Sequence, residues 1–167
     1  MLLITATVAH VDGDALAGKE RDTLRLSWEE RRWTRKRAVT TSGRGVALAL
    51  PTGSVLAPGD IIAVEAEWYL EIEGRPESVL ELCPRSRDEA IRIAFEVGNR
   101  HFPLAQSGDL LRVPDDRAME QLLTRLGVAW QRREAVFAPI SGGGHRHEPG
   151  TSPLDGHAHA PRPPAHG

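Results

Sequence analysis

The sequence has few cysteines and no long apolar stretch. Its single cysteine, Cys83, permits no internal disulfide and no cluster of thiolate ligands, and its place in an apolar run predicts a small buried side chain. No window approaches the ~18 consecutive apolar residues that a membrane-spanning helix needs. The first residues have neither a basic lead nor a long apolar core, so we expect no signal peptide and a cytoplasmic protein.

The chain also lacks a large excess of either charge. Its 167 residues carry a formal net charge of -2 at pH 7, which argues against a protein that mainly binds nucleic acid. Segment 31–37 is a local exception, with five basic residues and a tryptophan. Such a mixture can bind single-stranded nucleic acid, but the sequence has no second basic and aromatic cluster. A solvated face beside Glu29 and Glu30, or a docking patch for an acidic protein, is therefore favoured.

Residues 1–73 alternate between apolar and polar positions and contain frequent turn signals. This pattern predicts a small N-terminal β domain without a helix of useful length. The predicted strands cover residues 2–4, 23–28, 37–40, 46–50 and 61–64. Gly74-Arg75-Pro76 interrupts the periodicity and predicts a linker.

Residues 77–140 show a second, mixed pattern. A Ser-x-x-Glu capping box at Ser86 opens a helix that Gly98 ends, and Asp115 reads as the N-cap of a second helix that ends at Gly127. The predicted strands cover residues 77–83, 102–105, 110–113 and 128–137, and the apolar stripe of the second helix consists of Ala118, Met119, Leu122, Leu123 and Leu126. The order β-α-β-β-α-β predicts a ferredoxin-like domain and an α+β fold class. Many unrelated functions use this arrangement.

The last segment, 141–167, consists largely of Gly, Pro, Ala and His, so we expect a disordered tail in the absence of a ligand. It holds five of the seven histidines, namely His145, His147, His157, His159 and His166. The first four form two His-x-His pairs, and in an extended chain residues two apart point to the same side. Imidazole suits Ni²⁺, Zn²⁺ and Cu²⁺. A purification tag, which would be an unbroken run, and a solvated tail with incidental histidines are the alternatives.

His101 lies in Gly98-Asn99-Arg100-His101-Phe102-Pro103-Leu104, where a helical pattern runs into an extended apolar segment. A corner of this kind can hold an imidazole outward as a ligand, although the local geometry alone favours a structural histidine that bonds to the backbone near the helix end. One imidazole cannot hold a divalent ion usefully, whereas two copies related by a two-fold axis can. His10 is expected to be a surface residue at the end of a strand.

The chain resembles the UreE family of urease accessory metallochaperones. The resemblance rests on Gly98-Asn99-Arg100-His101, on the His-rich tail and on upstream segments. The upstream segments are Leu24-x-Leu26-x-Trp28-Glu29-x-Arg31, Leu48-x-Leu50-Pro51-x-Gly53 and Leu56-x-Pro58-Gly59-Asp60. It implies a homodimer that binds one Ni²⁺ between the two copies of His101, with further ligands from the tail. It also implies that the ion passes to a GTPase accessory protein and to the urease apoprotein, and that the N-terminal β domain docks a partner.

The sequence departs from the pattern of some relatives, which carry further histidines on the folded body. Those places hold Glu96 and, approximately, Asp115 and Arg117, so we expect few ions per dimer. A cytoplasmic nickel or zinc buffer without a dedicated recipient is the alternative function. A peptide-binding module is a further one. A metal-dependent hydrolase is disfavoured because the sequence has no clustered set of zinc ligands, and we predict that the chain is not an enzyme and binds neither nucleic acid nor membrane.

Overall fold

The computed structural model describes residues 1–6 and 11–140. Within these ranges the chain forms ten strands, three helices and one 3-10 turn, so the predicted α+β class is confirmed. The elements are β1 (Leu2–Ile4), α1 (Gly13–Leu16), β2 (Glu20–Leu26), a 3-10 turn (Glu30–Arg32), β3 (Arg35–Val39), β4 (Gly45–Ala49), β5 (Ile61–Val64), β6 (Trp68–Gly74), β7 (Pro76–Leu82), α2 (Arg87–Gly98), β8 (Ala105–Ser107), β9 (Leu110–Pro114), α3 (Arg117–Leu126) and β10 (Trp130–Val136). No helix among the described residues is long and apolar enough to cross a membrane.

The first six strands form two three-stranded sheets, with the orders β1-β4-β3 and β2-β6-β5. Strands β1 and β4 run parallel, as do β2 and β6, and the other neighbours are antiparallel. Inward-facing side chains from both sheets share one apolar cluster that includes Ile4, Leu24, Leu48 and Ile72. The only helical segments described here are the single turn α1 and the 3-10 turn, as the sequence predicts.

Strand β6 is the element that the sequence analysis missed. It lies at the centre of its sheet, where Leu70 and Ile72 are buried and the residues between them face outward. The signal was a period-two alternation, which is typical of a strand with one buried face. The start of β6 is hard to recognise in the sequence because two charged residues, Glu65 and Glu67, precede it. In the structure this segment is a tight connection, in which the Glu65 N–H donates to the Trp68 carbonyl at 2.8 Å.

The second half of the described chain has the element order β7-α2-β8-β9-α3-β10. Its four strands form one antiparallel sheet in the order β10-β7-β9-β8. Both helices contribute to one apolar cluster with this sheet, in which Ile93 and Val97 of α2 meet Met119, Leu122 and Leu123 of α3. Ala118, which was expected in this stripe, is exposed because it lies at the start of α3, outside the buried face.

Several boundaries in this half differ from the prediction, and the last strand is Trp130–Val136 rather than 128–137. Residues 102–104 are not a strand, and the hairpin strand is Ala105–Ser107, closed by a turn at Gly108 with a φ of 59°. The N-cap of α3 is Asp116, whose carboxylate accepts the Ala118 N–H at 2.7 Å, rather than Asp115. The Asp115 carboxylate instead accepts hydrogen bonds from Ser78 and Arg132, each at 2.7 Å, because it faces the sheet.

The prediction of a buried Cys83 is wrong. Cys83 is exposed because β7 ends at Leu82. In the strand, Leu80 and Leu82 face the core, so the alternation directs Glu81 and Cys83 to the other side.

The junction of the two halves is packed closely. Only Arg75 separates β6 from β7, and its N–H continues the pairing of β6 by donating to the Leu26 carbonyl at 2.8 Å. A Cβ added to Gly74 would lie 2.4 Å from Val136 Cγ1, so only glycine fits there. The segment Gly74-Arg75-Pro76 is therefore an extended connection between adjoining strands.

Arg31 crosses the same junction. Its side chain is 2% exposed, whereas the sequence analysis placed segment 31–37 on a solvated face. The guanidinium donates to the carbonyls of Leu56 and Phe137 and lies 5.5 Å from the ring of Trp28. Burial lowers the pKa of Arg31, and the carboxylates of Glu77 and Asp60 oppose that shift. The arginine of the Trp28-Glu29-x-Arg31 motif thus connects the two halves of the chain.

Candidate metal centre

Helix α2 fixes the position of His101, and its start is capped as the sequence predicts. The Ser86 hydroxyl accepts the Glu89 N–H at 3.1 Å. The Glu89 carboxylate reaches back one residue further than in a standard capping box and accepts the Arg85 N–H at 2.6 Å. Hydrogen bonds from the Arg85 guanidinium, and then from its backbone, lower the pKa of Glu89 from 4.5 to about 2.

His101 itself occupies the position that ends the helix. The Phe102 N–H donates to the Val97 carbonyl at 3.3 Å, and the His101 N–H donates to the Gly98 carbonyl at 2.9 Å. This pair of bonds defines a Schellman motif, in which the residue before the outer donor adopts the left-handed conformation. That residue is His101, with a φ of 59°. Val97 and Phe102 meet in the apolar cluster, which is the contact that usually accompanies the motif.

The predicted role of Gly98 is therefore only partly correct. Gly98 is the last helical residue, but its φ is not left-handed, and a Cβ added there would meet nothing within 4 Å. Histidine takes the place that glycine usually fills, and its side chain is exposed. A left-handed backbone costs a residue with a Cβ roughly 1–2 kcal/mol, so the corner holds His101 in a conformation that its local preference opposes.

His101 belongs to no group of three or more potential metal ligands in the described part of the chain. Arg100 Nη1 donates to the carboxylate of Glu96 at 2.7 Å and to its carbonyl at 2.8 Å, so this carboxylate is neutralised. Among residues 1–6 and 11–140, no group of three or more His, Cys, Asp or Glu side chains could hold a metal ion. Asp115 is likewise occupied, because Arg132 and Ser78 bind its carboxylate and lower its pKa.

Two large apolar side chains are exposed on α2 before the corner. Phe95 is 65% exposed and Ile91 is 56% exposed, and both lie on the face opposite the buried Ile93 and Val97. The exposure of these two side chains was not predicted from the sequence. The available signal was that α2 carries apolar residues on both faces, which is unusual for a helix that packs on a core with one side only.

The other candidate ligands fall outside the described residues. They are the tail histidines His145, His147, His157, His159 and His166, and His10, which was expected to be a surface residue, also lies outside the described ranges. Of the predicted metal ligands, the structure describes His101, and it shows that His101 is exposed at the corner that ends α2.

Comparison with known proteins identifies the class of this molecule. A family model for the C-terminal domain of the UreE urease accessory protein matches residues 77–166, and a model for the N-terminal domain matches residues 4–73. Both models describe domains of an accessory protein, which agrees with the prediction that the chain is not an enzyme. The chain belongs to the UreE family.

Curated relatives agree with this assignment. The chain is 39% identical over 127 residues to a urease accessory protein UreE from Ralstonia nicotianae, an alignment that covers 74% of this chain and 60% of the relative. It is 39% identical over 124 residues to a protein of the same name from Synechococcus, with 74% of this chain and 83% of the relative covered. The chain thus spans less than two thirds of the length of the Ralstonia relative.

Proposed function

We propose that this protein is a nickel metallochaperone that delivers Ni²⁺ for assembly of the urease active site. The observation that carries the proposal is the exposed, left-handed His101, which belongs to no group of three or more potential metal ligands among the described residues. A single imidazole would bind a divalent ion weakly, so a useful site needs ligands from elsewhere. Membership of the UreE family supports urease maturation as the process that the site serves.

We propose that a second copy of the chain supplies the missing imidazole. The exposed Phe95 and Ile91 lie about one and two turns before the end of α2 at Gly98, and two copies that covered these side chains about a two-fold axis would bring their corners together. The ion between two His101 side chains would be held by few ligands and would be released readily. Such a site suits a carrier of ions better than a closed storage site.

The tail and the N-terminal half would have separate roles in this scheme. Tail histidines His145, His147, His157, His159 and His166 would complete the coordination and capture further ions, with Zn²⁺ and Cu²⁺ as competitors. Residues 77–140 would form the ferredoxin-like domain for metal binding and dimerisation. Residues 1–73 would dock the GTPase accessory protein or the urease apoprotein in the cytoplasm.

Reconstituted activation of apo-urease tests the proposal. We expect the full chain loaded with Ni²⁺ to activate apo-urease in the presence of the GTPase accessory protein, and His101→Ala to reduce activation strongly. Ligating imidazoles must be neutral, so loading should weaken in acidic solution. Equal activation by His101→Ala would contradict the proposal.

A nickel or zinc buffer is the second candidate, because the tail histidines would serve it equally well. The two functions differ in their need for a recipient. A chaperone should co-purify with the urease apoprotein or its GTPase when these are supplied, whereas a buffer should bind the same ions without a stable complex. Ion binding without any complex formation would favour the buffer.

A further inference from the structure

Strand β3 lies at the edge of its sheet and leaves part of its backbone unpaired. Two hydrogen bonds lie at the two ends of its pairing with β4. The Leu50 N–H donates to the Thr34 carbonyl at 2.7 Å, and the Thr40 N–H donates to the Arg44 carbonyl at 2.9 Å. Because backbone groups alternate in direction along a strand, residues 34, 36, 38 and 40 face β4. The N–H and C=O groups of Arg35, Arg37 and Val39 therefore face away from the sheet, and within the described chain they have no hydrogen-bond partner.

The same edge carries a group of uncompensated positive charges. Arg32, Arg35, Lys36 and Arg37 are exposed, and no carboxylate among the described residues forms an ion pair with them. Four other arginines in this half of the chain are paired with carboxylates, namely Arg21 with Glu71, Arg25 with Glu73, Arg44 with Glu20 and Asp22, and Arg75 with Glu30. The β3 edge is therefore a local source of positive potential.

One face of the aromatic residue of the segment, Trp33, is covered by a lysine side chain. Lys36 Nζ lies 3.9 Å from the centroid of the Trp33 ring, and the side chain covers that face. Single-stranded nucleic acid is bound by bases that stack on free aromatic faces, so the arrangement favours a partner that uses backbone pairing and negative charge. An extended peptide with carboxylates has both properties.

We propose that the exposed edge of β3 binds an extended acidic segment of a partner protein, which adds to the sheet as a further strand. Its backbone would pair with Arg35, Arg37 and Val39 and would end there, because the next outward N–H, that of Thr41, donates to the Thr23 carbonyl of β2 at 2.9 Å. Since alternate side chains of a strand lie on one face, carboxylates two residues apart would meet the guanidinium groups of Arg35 and Arg37. This docking surface rests on the proposed function. It would be the part of residues 1–73 that binds the recipient of the ion, and the recipient's segment would be extended and acidic.

A simpler role for the charges is to prevent edge-to-edge aggregation, since charged side chains commonly protect edge strands. That role predicts no affinity for acidic peptides and aggregation when the charges are removed. A binding experiment separates the two.

The probe is a fluorescently labelled peptide of about seven residues in which Glu and Val alternate, the length of one ordinary strand. We expect the full chain to bind it in low salt, and the double variant Arg35→Glu/Arg37→Glu to bind it at least about tenfold more weakly, because two attractive contacts become repulsive. The matched control is Arg87→Glu/Arg117→Glu, which reverses two exposed charges at the starts of α2 and α3 and should leave the affinity unchanged. Equal binding by both double variants would overturn the proposal.

Backbone pairing is tested with Val39→Pro, which removes one outward N–H and keeps every charge. We expect weaker peptide binding by Val39→Pro than by Val39→Ala, together with slowed amide exchange at Arg37 and Val39 when the peptide binds. No peptide binding, or displacement of the peptide by oligothymidylate at lower concentration than by unlabelled peptide, would overturn the proposal in favour of edge protection or of nucleic acid.

Nickel titration of the same variants separates this inference from the proposed function. The edge variants should bind Ni²⁺ as the unchanged chain does and should lose complex formation with the recipient. If the unchanged chain failed to bind Ni²⁺ while the peptide results held, the metallochaperone proposal would fall and the docking surface would remain. Full recipient binding by Arg35→Glu/Arg37→Glu would overturn the docking surface alone.

Discussion

At the scale of single residues, the backbone of His101 is the most informative feature. Helix ends of this kind usually place glycine in the left-handed position, and here glycine lies three residues earlier. The sequence placed His101 at a corner correctly, because the helical pattern stops there. It did not reveal which residue takes the positive φ, because that is decided by the bonds of Phe102 and His101 to the last turn.

Substitution of His101 should separate backbone strain from ligation. We expect His101→Gly to be more stable than His101→Ala by about 1 kcal/mol in urea unfolding, because alanine keeps the Cβ that the left-handed conformation disfavours. Both variants should lose the tightest Ni²⁺ site equally. Equal stability of the two variants would mean that the left-handed corner does not persist in solution.

Glu89 should contribute to stability in a defined pH window. Its pKa falls to about 2 in the folded chain from the ordinary value of 4.5, so the contribution is complete above pH 4.5 and is lost as the pH falls toward 2. We expect Glu89→Gln to be less stable than the unchanged chain at neutral pH, and the difference to shrink across that window in thermal unfolding. Glu29→Gln, at an exposed glutamate without an ion pair in the described chain, is the control and should show no such convergence.

At the scale of elements, sequence reasoning succeeded where a pattern was local. The N-cap at Ser86, the end of α3 at Gly127 and the strand Ile61–Val64 each follow from residues close together in the chain. The prediction that Asp115 is the cap of α3 was wrong, because two adjacent aspartates fit the cap equally well. Arg132, distant in sequence, draws Asp115 away.

The exposed face of α2 should control assembly. We expect Phe95→Asp to convert a dimer to a monomer in sedimentation velocity, because it would bury a carboxylate in an apolar contact. Val39→Asp is the matched control, since Val39 is 66% exposed against 65% for Phe95 and lies on β3. A dimer that persists in Phe95→Asp would place the interface elsewhere.

At the scale of the whole molecule, the described halves of the chain meet across a close-packed junction. The Trp28 N–H donates to the Glu77 carboxylate at 2.8 Å, and Arg31 reaches the carbonyl of Phe137. These contacts join residues that are far apart in sequence, so they cannot be read from the local pattern. The local pattern around Gly74 therefore predicted a linker, whereas the structure has an extended connection between two strands. The burial of one arginine within a basic run could not be predicted either, because the groups that this arginine contacts are far away in the sequence.

Gly74 and Val136 should be coupled in stability. We expect Gly74→Ala to destabilise the fold by about 1–3 kcal/mol, because the new methyl group overlaps Val136. Adding Val136→Ala should restore part of the loss, and the double-mutant cycle in urea, at one protein concentration, should give a favourable coupling energy. Gly98→Ala, where the added methyl group meets nothing, should be neutral or stabilising. Additive costs at Gly74 and Val136 would contradict the close packing.

The most direct test of the nickel proposal is native mass spectrometry of the full chain with its five tail histidines changed to alanine, titrated with Ni²⁺. The proposal predicts a dimer that retains one Ni²⁺ per two chains, and a dimer without that ion when His101→Ala is added. One ion per monomer, or an ion that survives His101→Ala, would contradict a site shared between two copies of His101.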